Sequence, residues 1–123
     1  MTAIRVIVSG AFRAAYLALV PAFEQTSGHK VTTVFGGSMG NAPTAIPVRL
    51  RNGEGADLVI LAADALFPLI EQGLIRADSR VDLVRSGLGV AVRAGAAVPE
   101  IGSVEAFKRT LLAARSIAFS TSA

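Results

Sequence analysis

Five short apolar runs separated by helical patterns constrain this chain more than any other feature. Three of them carry the argument: Ile4-Arg5-Val6-Ile7-Val8, Val31-Thr32-Thr33-Val34-Phe35 and Leu58-Val59-Ile60-Leu61. The second is β-branched and aromatic, a strand by propensity. The third has no polar alternation and reads as a strand buried on both faces. Strands that alternate with amphipathic helices pair in parallel, because each crossover helix returns the chain to the same edge. The expected fold class is therefore α/β, three-layered, with a largely parallel sheet and flanking helices.

The helical stretches are legible in the same way. Phe12, Tyr16, Leu19, Val20 and Phe23 recur at helical spacing and form one apolar stripe. Ser27-Gly28 ends that helix. Gly36-Gly37-Ser38-Met39-Gly40-Asn41 is a turn-forming loop, and Pro43 and Pro47 shorten or break any helix running to Arg51. Asn52-Gly53-Glu54-Gly55 is a further turn. Asp64 is placed to cap a helix reaching Gln72, with Gly73 just past its end. Ser86 to Val92 and Ile117-Ala118-Phe119 read as the last two strands. Ser103 is an N-cap candidate before a helix whose first turn holds Glu105 and whose stripe is Val104, Phe107, Leu111 and Ala114.

Composition narrows the function classes. The chain is 52% hydrophobic and 17% charged over 123 residues, which suits a buried core and not a disordered segment. No run approaches the roughly 18–20 uninterrupted apolar residues of a spanning helix. The net charge of +3 is spread over scattered arginines with only Lys30 and Lys108 besides, so no basic tract suggests nucleic acid. A field of this sign still favours anionic ligands. There is no cysteine, which removes disulfides and thiolate metal sites. His29, the only histidine, has no spaced partner for a metal site, and the glycine loops match neither a P-loop nor a dinucleotide fingerprint, so no cofactor is expected.

A family likeness lies in ordered segments: Ser9-Gly10-Ala11, Pro21-Ala22-Phe23-Glu24, Ser27-Gly28-His29-Lys30-Val31, Phe35-Gly36-Gly37-Ser38, Gly55-Ala56-Asp57-Leu58-Val59-Ile60 and Glu71-Gln72-Gly73-Leu74-Ile75. Together they resemble the bacterial extracellular solute-binding proteins of ABC importers, in the branch that includes molybdate-binding proteins. The likeness spans essentially the whole chain and rests on order and spacing, since no single motif is specific. It implies a periplasmic binding protein-like fold of type II, with two α/β lobes closing on a ligand. By resemblance, residues 1–85 are a first lobe. Residues 86–123 are the crossing strand and the beginning of a truncated second lobe.

The resemblance also implies a site. Molybdate binders hold the oxyanion with serine hydroxyls and with backbone amides at helix starts, where unsatisfied N–H groups and the helix dipole favour an anion. The ligand-binding residues carried over are Ser9, Gly10, Ala11, Gly37, Ser38 and Ala62, with Ser38 on the family's second-loop serine. Ala11 stands where the first-loop serine of molybdate binders falls, a departure that weighs against molybdate itself. Asp57 reads as a structural loop-to-strand residue.

The leading expectation is a non-enzymatic, substrate-binding component of an ABC transporter, capturing a small solute, molybdate or another oxyanion first, for transport by a membrane permease. One alternative is a small proton-transfer isomerase using a carboxylate such as Asp64 in an apolar cleft. Another is a cytoplasmic ligand-sensing or structural remnant of the same fold. The resemblance implies a periplasmic location, whereas Met1–Val6 lacks the pattern of a signal peptide. The apolar content of residues 86–123 further suggests a homo-oligomer formed through that segment.

Overall fold

The computed structural model describes residues 2–119. These fall into two units, one running through Arg80 and the other spanning Val81–Phe119.

The first unit is built on a three-stranded parallel sheet. Strand β1 (Ala3–Ser9) lies at its centre, between β2 (Lys30–Gly36) and β3 (Leu58–Ile60). Val8 is paired with Phe35 on one side and with Ile60 on the other, and Ser9 with Gly36. The chain thus steps outward from β1 to β2, then crosses back to β3 on the far side of β1. Four helices are described: α1 (Arg13–Ser27), α2 (Ile46–Arg51), α3 (Ala63–Glu71) and, in the second unit, α4 (Val104–Ala113).

The period-two alternation of β1 explains why both faces of the sheet are covered. Val6 and Val8 point to one side and pack with Tyr16 of α1, flanked by Phe12, Val20 and Phe35. Ile7 points to the other and packs with Ile46 and Leu50 of α2 and Leu69 of α3. Ile7, Ile46 and Leu69 are fully buried, each contributing about 1.5–3 kcal/mol of hydrophobic stabilisation. This is the three-layer α/β arrangement that the alternating runs predict. The stripe on α1 is narrower than its spacing suggests. Phe12, Tyr16 and Val20, four apart, face the sheet, while Leu19 is 60% exposed.

Helix ends follow their local chemistry. Gly28 closes α1 with φ 72°, and its N–H donates to the Glu24 carbonyl; only glycine adopts that left-handed backbone without strain. Gly36 is required for another reason. A Cβ there would collide with the Thr44 carbonyl, which returns beside the end of β2 as the loop turns into α2. The Ile46 N–H donates to the Gly37 carbonyl at 2.8 Å and holds that return in place. At the opposite end of the sheet, Asp57 accepts the Arg5 N–H at 2.8 Å and donates its own N–H to the Arg5 carbonyl at 2.9 Å. Asp57 therefore has the structural part its position suggests.

Three expectations about elements are corrected. Asp64 is not the cap of α3: Ala62 is the N-cap, and Asp64 sits in the first turn. Ser86–Val92 and Ile117–Phe119 form no strand. A strand persists through its ladder, and no described strand pairs with either run; Gly87 and Gly89 weaken the first further. In the second unit, α4 does begin at Ser103, whose hydroxyl accepts the Ala106 N–H at 3.1 Å, with Glu105 in the first turn. Its anticipated stripe is not buried, however. Ala106 is the buried residue of α4, while Val104 and Phe107 are exposed.

Candidate functional site

Strand order decides where a ligand can sit on such a sheet. Helix α1, which follows β1, packs on one face, and α3, which follows β3, packs on the other. Because β1 and β3 are neighbours, the segments leaving their C-terminal ends diverge and open a crevice, where open α/β sheets bind ligands.

All six residues expected to bind ligand lie at this edge. Ser9 ends β1, is 3% exposed, and its Oγ accepts the Ala11 N–H at 3.4 Å, capping the short turn Gly10–Phe12 that leads into α1. Gly10 and Ala11 are exposed on that turn. Gly37 follows β2 and uses its carbonyl on Ile46. Ser38 is fully buried, and its Oγ accepts the Ala62 N–H at 3.0 Å. That bond ties the loop after β2 to the start of α3, across the sheet from β2 to β3. It also engages the Ala62 amide. The N–H groups of Ala63 and Asp64, the first two helical residues of α3, are the ones left without an intrahelical acceptor.

A small, open cavity adjoins Ser38, with a volume of about 180 Å³. Ser38, Met39, Arg51 and Asp64 line it together with Pro47, Ala65, Pro68 and Leu69. The lining combines an apolar wall with one hydroxyl, one carboxylate and one guanidinium. Of the six expected residues, Ser38 alone lines this cavity. Asp64, which the sequence offers as a proton-shuttling carboxylate, lines it as well.

Arg51 and Arg13 are the functional candidates that sequence reasoning missed. Arg51 ends α2, and its Nε donates to Gln72 Oε1 at 3.0 Å. Arg13 opens α1 with its guanidinium carbon 4.3 Å from the centre of the Phe35 ring, at the same end of the sheet as Ser9. Tyr16 packs edge-on against that ring and shares a 2.7 Å hydrogen bond with Thr33 Oγ1, so the platform beneath Arg13 is fixed. Helical position adjacent to a glycine loop was the available signal for both arginines.

His29 lies at the start of β2, at the sheet edge away from Ser9 and Asp64, and its Nδ1 accepts the Thr2 N–H. A Ser-His-Asp arrangement is therefore not assembled. Among the described residues no cluster of metal-ligating side chains occurs, and no helix is long and apolar enough to cross a membrane.

The family model for bacterial extracellular solute-binding proteins matches residues 4–123. The chain belongs to that family. A curated relative from Pseudomonas sp, aconitate isomerase, is 42% identical over 123 residues, which make up 100% of this chain and 47% of the relative. The chain thus spans about half the length of the curated relative it matches. Similarity of this extent to a protein named for a catalysed reaction overturns the expectation that this solute-binding family member is no enzyme.

Proposed function

We propose that this chain carries part of the active site of an isomerase that moves a proton within a small unsaturated polycarboxylate, with aconitate the first candidate. The single observation behind this reading is the joint presence of Asp64 and the buried Ser38 on one apolar-walled cavity, in a chain 42% identical to an aconitate isomerase.

The chemistry asks little of the protein beyond that set. Aconitate bears a methylene group next to a carbon–carbon double bond. A carboxylate at Asp64 takes a proton from the methylene carbon, the double bond shifts by one position, and the Asp64 carboxyl, whose proton exchanges with solvent at this exposed position, gives a proton to the former vinylic carbon. No electrons are gained or lost overall, and the base is regenerated. The negative charge that develops is delocalised into a substrate carboxylate. The Ser38 hydroxyl and the open amides of Ala63 and Asp64 are positioned to stabilise it, as hydrogen-bond donors do where charge develops. The test is to supply one geometric isomer of aconitate and follow the other by proton NMR in D2O. Interconversion with deuterium entering the exchanged positions supports the proposal. A protein that binds aconitate and leaves it unchanged sinks it.

Family membership supports a second reading, solute capture for an ABC importer in the periplasm, with an oxyanion such as molybdate held by Ser9, Gly10, Ala11, Gly37, Ser38 and Ala62. Thermal shifts separate the two. Molybdate, tungstate and sulfate stabilise the protein under the capture reading; polycarboxylates do so under the isomerase reading. Residues 1–85 and 86–123 remain our proposed division into a first lobe and the start of a second.

A further inference from the structure

We infer that Arg51 is the carboxylate anchor of the cavity and that it selects organic acids over inorganic oxyanions; the inference rests on the isomerase reading and names the specificity residue of that same site.

The argument starts with how Arg51 is placed. Ile46 and Leu50, four apart on α2, are buried in the core, so the axis of this short helix is set by packing. Arg51 follows at its last position and lines the cavity with Ser38 and Asp64. Its Nε donates to the side chain of Gln72, the C-cap residue of α3. A guanidinium has five N–H donors in a rigid planar fork, and this bond engages the one on Nε. The two terminal NH2 groups are left, the pair that meets a carboxylate with two parallel hydrogen bonds.

Arg51 differs in this from Arg5, Arg49, Lys30 and Arg76. Arg5 and Arg49 are both spent on Glu54, Lys30 on Glu24, and Arg76 on Asp78. Arg51 enters none of these ion pairs and lines a cavity.

The opposing charge sets the ligand class. Asp64 lines the same small cavity as Arg51. A compact tetrahedral dianion drawn to Arg51 would bring its other oxygens into the cavity that the Asp64 carboxylate also lines, and like charges sharing one site repel. An organic acid avoids this. Its carboxylate meets Arg51 while its carbon skeleton lies along Met39, Pro47 and Pro68, which present apolar surface and no charge. A C–H bond, and not a second anion, then faces Asp64. Recognition at Arg51 and proton transfer at Asp64 thereby become separate tasks on opposite ends of one ligand.

The experiment measures binding and turnover in parallel. Tricarballylate, a saturated tricarboxylate with no double bond to shift, is titrated calorimetrically into the protein and its Arg51→Gln, Arg51→Lys and Arg76→Ala variants. KM and kcat for aconitate are measured on the same set. Arg51→Gln is expected to weaken tricarballylate by about 10- to 100-fold and to raise KM by a similar factor, with kcat nearly unchanged. Arg51→Lys recovers part of the loss, because it restores charge without the planar fork. Arg76→Ala, which removes the same charge from an exposed pair, leaves both constants in place. The inference is overturned if Arg51→Gln binds and turns over like the native protein while Asp64→Asn is inactive; the isomerase reading survives that result. If the native protein takes molybdate and neither binds tricarballylate nor converts aconitate, both fall.

Discussion

The hydroxyl oxygen of Ser38 accepts the backbone N–H of Ala62 at 3.0 Å, joining two loops that are 24 residues apart in sequence. Ser38 is fully buried, and Ala62 is half-buried. Replacing Ser38 by alanine leaves the half-buried Ala62 amide without its acceptor, which costs about 1 kcal/mol. Ser38→Ala is expected to lower the denaturant midpoint accordingly and to reduce turnover by more than the loss of folded protein explains. Ser38→Thr, which keeps the hydroxyl, tests whether the oxygen is what matters. Equal stability of the alanine variant and the native protein in a urea titration refutes the structural half of this prediction.

Asp64 serves the proposed reaction and contributes little to the fold. It is exposed in the first turn of α3, where its charge interacts favourably with the helix dipole by about 0.3–1 kcal/mol. Asp64→Asn is therefore expected to fold normally, to bind tricarballylate at least as well as the native chain, and to lose about 10²- to 10⁴-fold in kcat for aconitate. The measurement is a steady-state assay beside a calorimetric titration. Retention of kcat removes Asp64 from the chemistry.

The sheet was legible from sequence because its signals are local. Ile4–Val8, Val31–Phe35 and Leu58–Leu61 each carry strand composition within a few residues, and Gly28 marks the end of α1 by its own backbone requirement. Ser9, Gly37, Ser38 and Ala62 came from the family resemblance, and parallel pairing puts the ends of their strands at one sheet edge. Arg51 was not legible, since its neighbours are fixed by tertiary packing: its bond to Gln72 bridges 21 positions between the ends of two helices. In Ser86–Val92 the strand propensity is real, yet a strand also needs a partner, and composition says nothing of partners.

In the Val81–Phe119 unit, Val98 is 90% exposed, Val104 82%, Leu112 77% and Phe119 79%. Covering a side chain of this kind is worth about 1.5–3 kcal/mol. We propose a second copy of the chain as the cover, which makes residues 86–123 a homo-oligomer surface. Sedimentation of the 123-residue chain at micromolar concentration is expected to give a dimer or larger species. Val104→Glu combined with Leu112→Glu should shift it to monomer. A native chain that sediments as a monomer refutes the assignment.

Glu54 links stability to pH. Its carboxylate accepts from Arg49 Nη1 at 2.8 Å and from Arg5 Nη2 at 2.5 Å, tying the turn after α2 to the first strand. The hydrogen bond from Arg49, then that from Arg5, hold its pKa below the ordinary 4.5. The sign follows from linkage: a carboxyl that is more acidic when folded binds protons more readily when unfolded, so acid favours the unfolded chain. The contribution of Glu54 is present in full above 4.5 and is lost as pH falls through the depressed folded value. Glu54→Gln cannot titrate. Chemical denaturation repeated from neutral pH downward should show the native protein more stable than this variant at neutral pH, with the gap closing on the acid side of 4.5. The side chain is partly solvent-exposed, so salt should narrow the neutral-pH gap by screening. A gap that stays constant across the whole range would show that the two arginine contacts do not depend on the ionisation of Glu54.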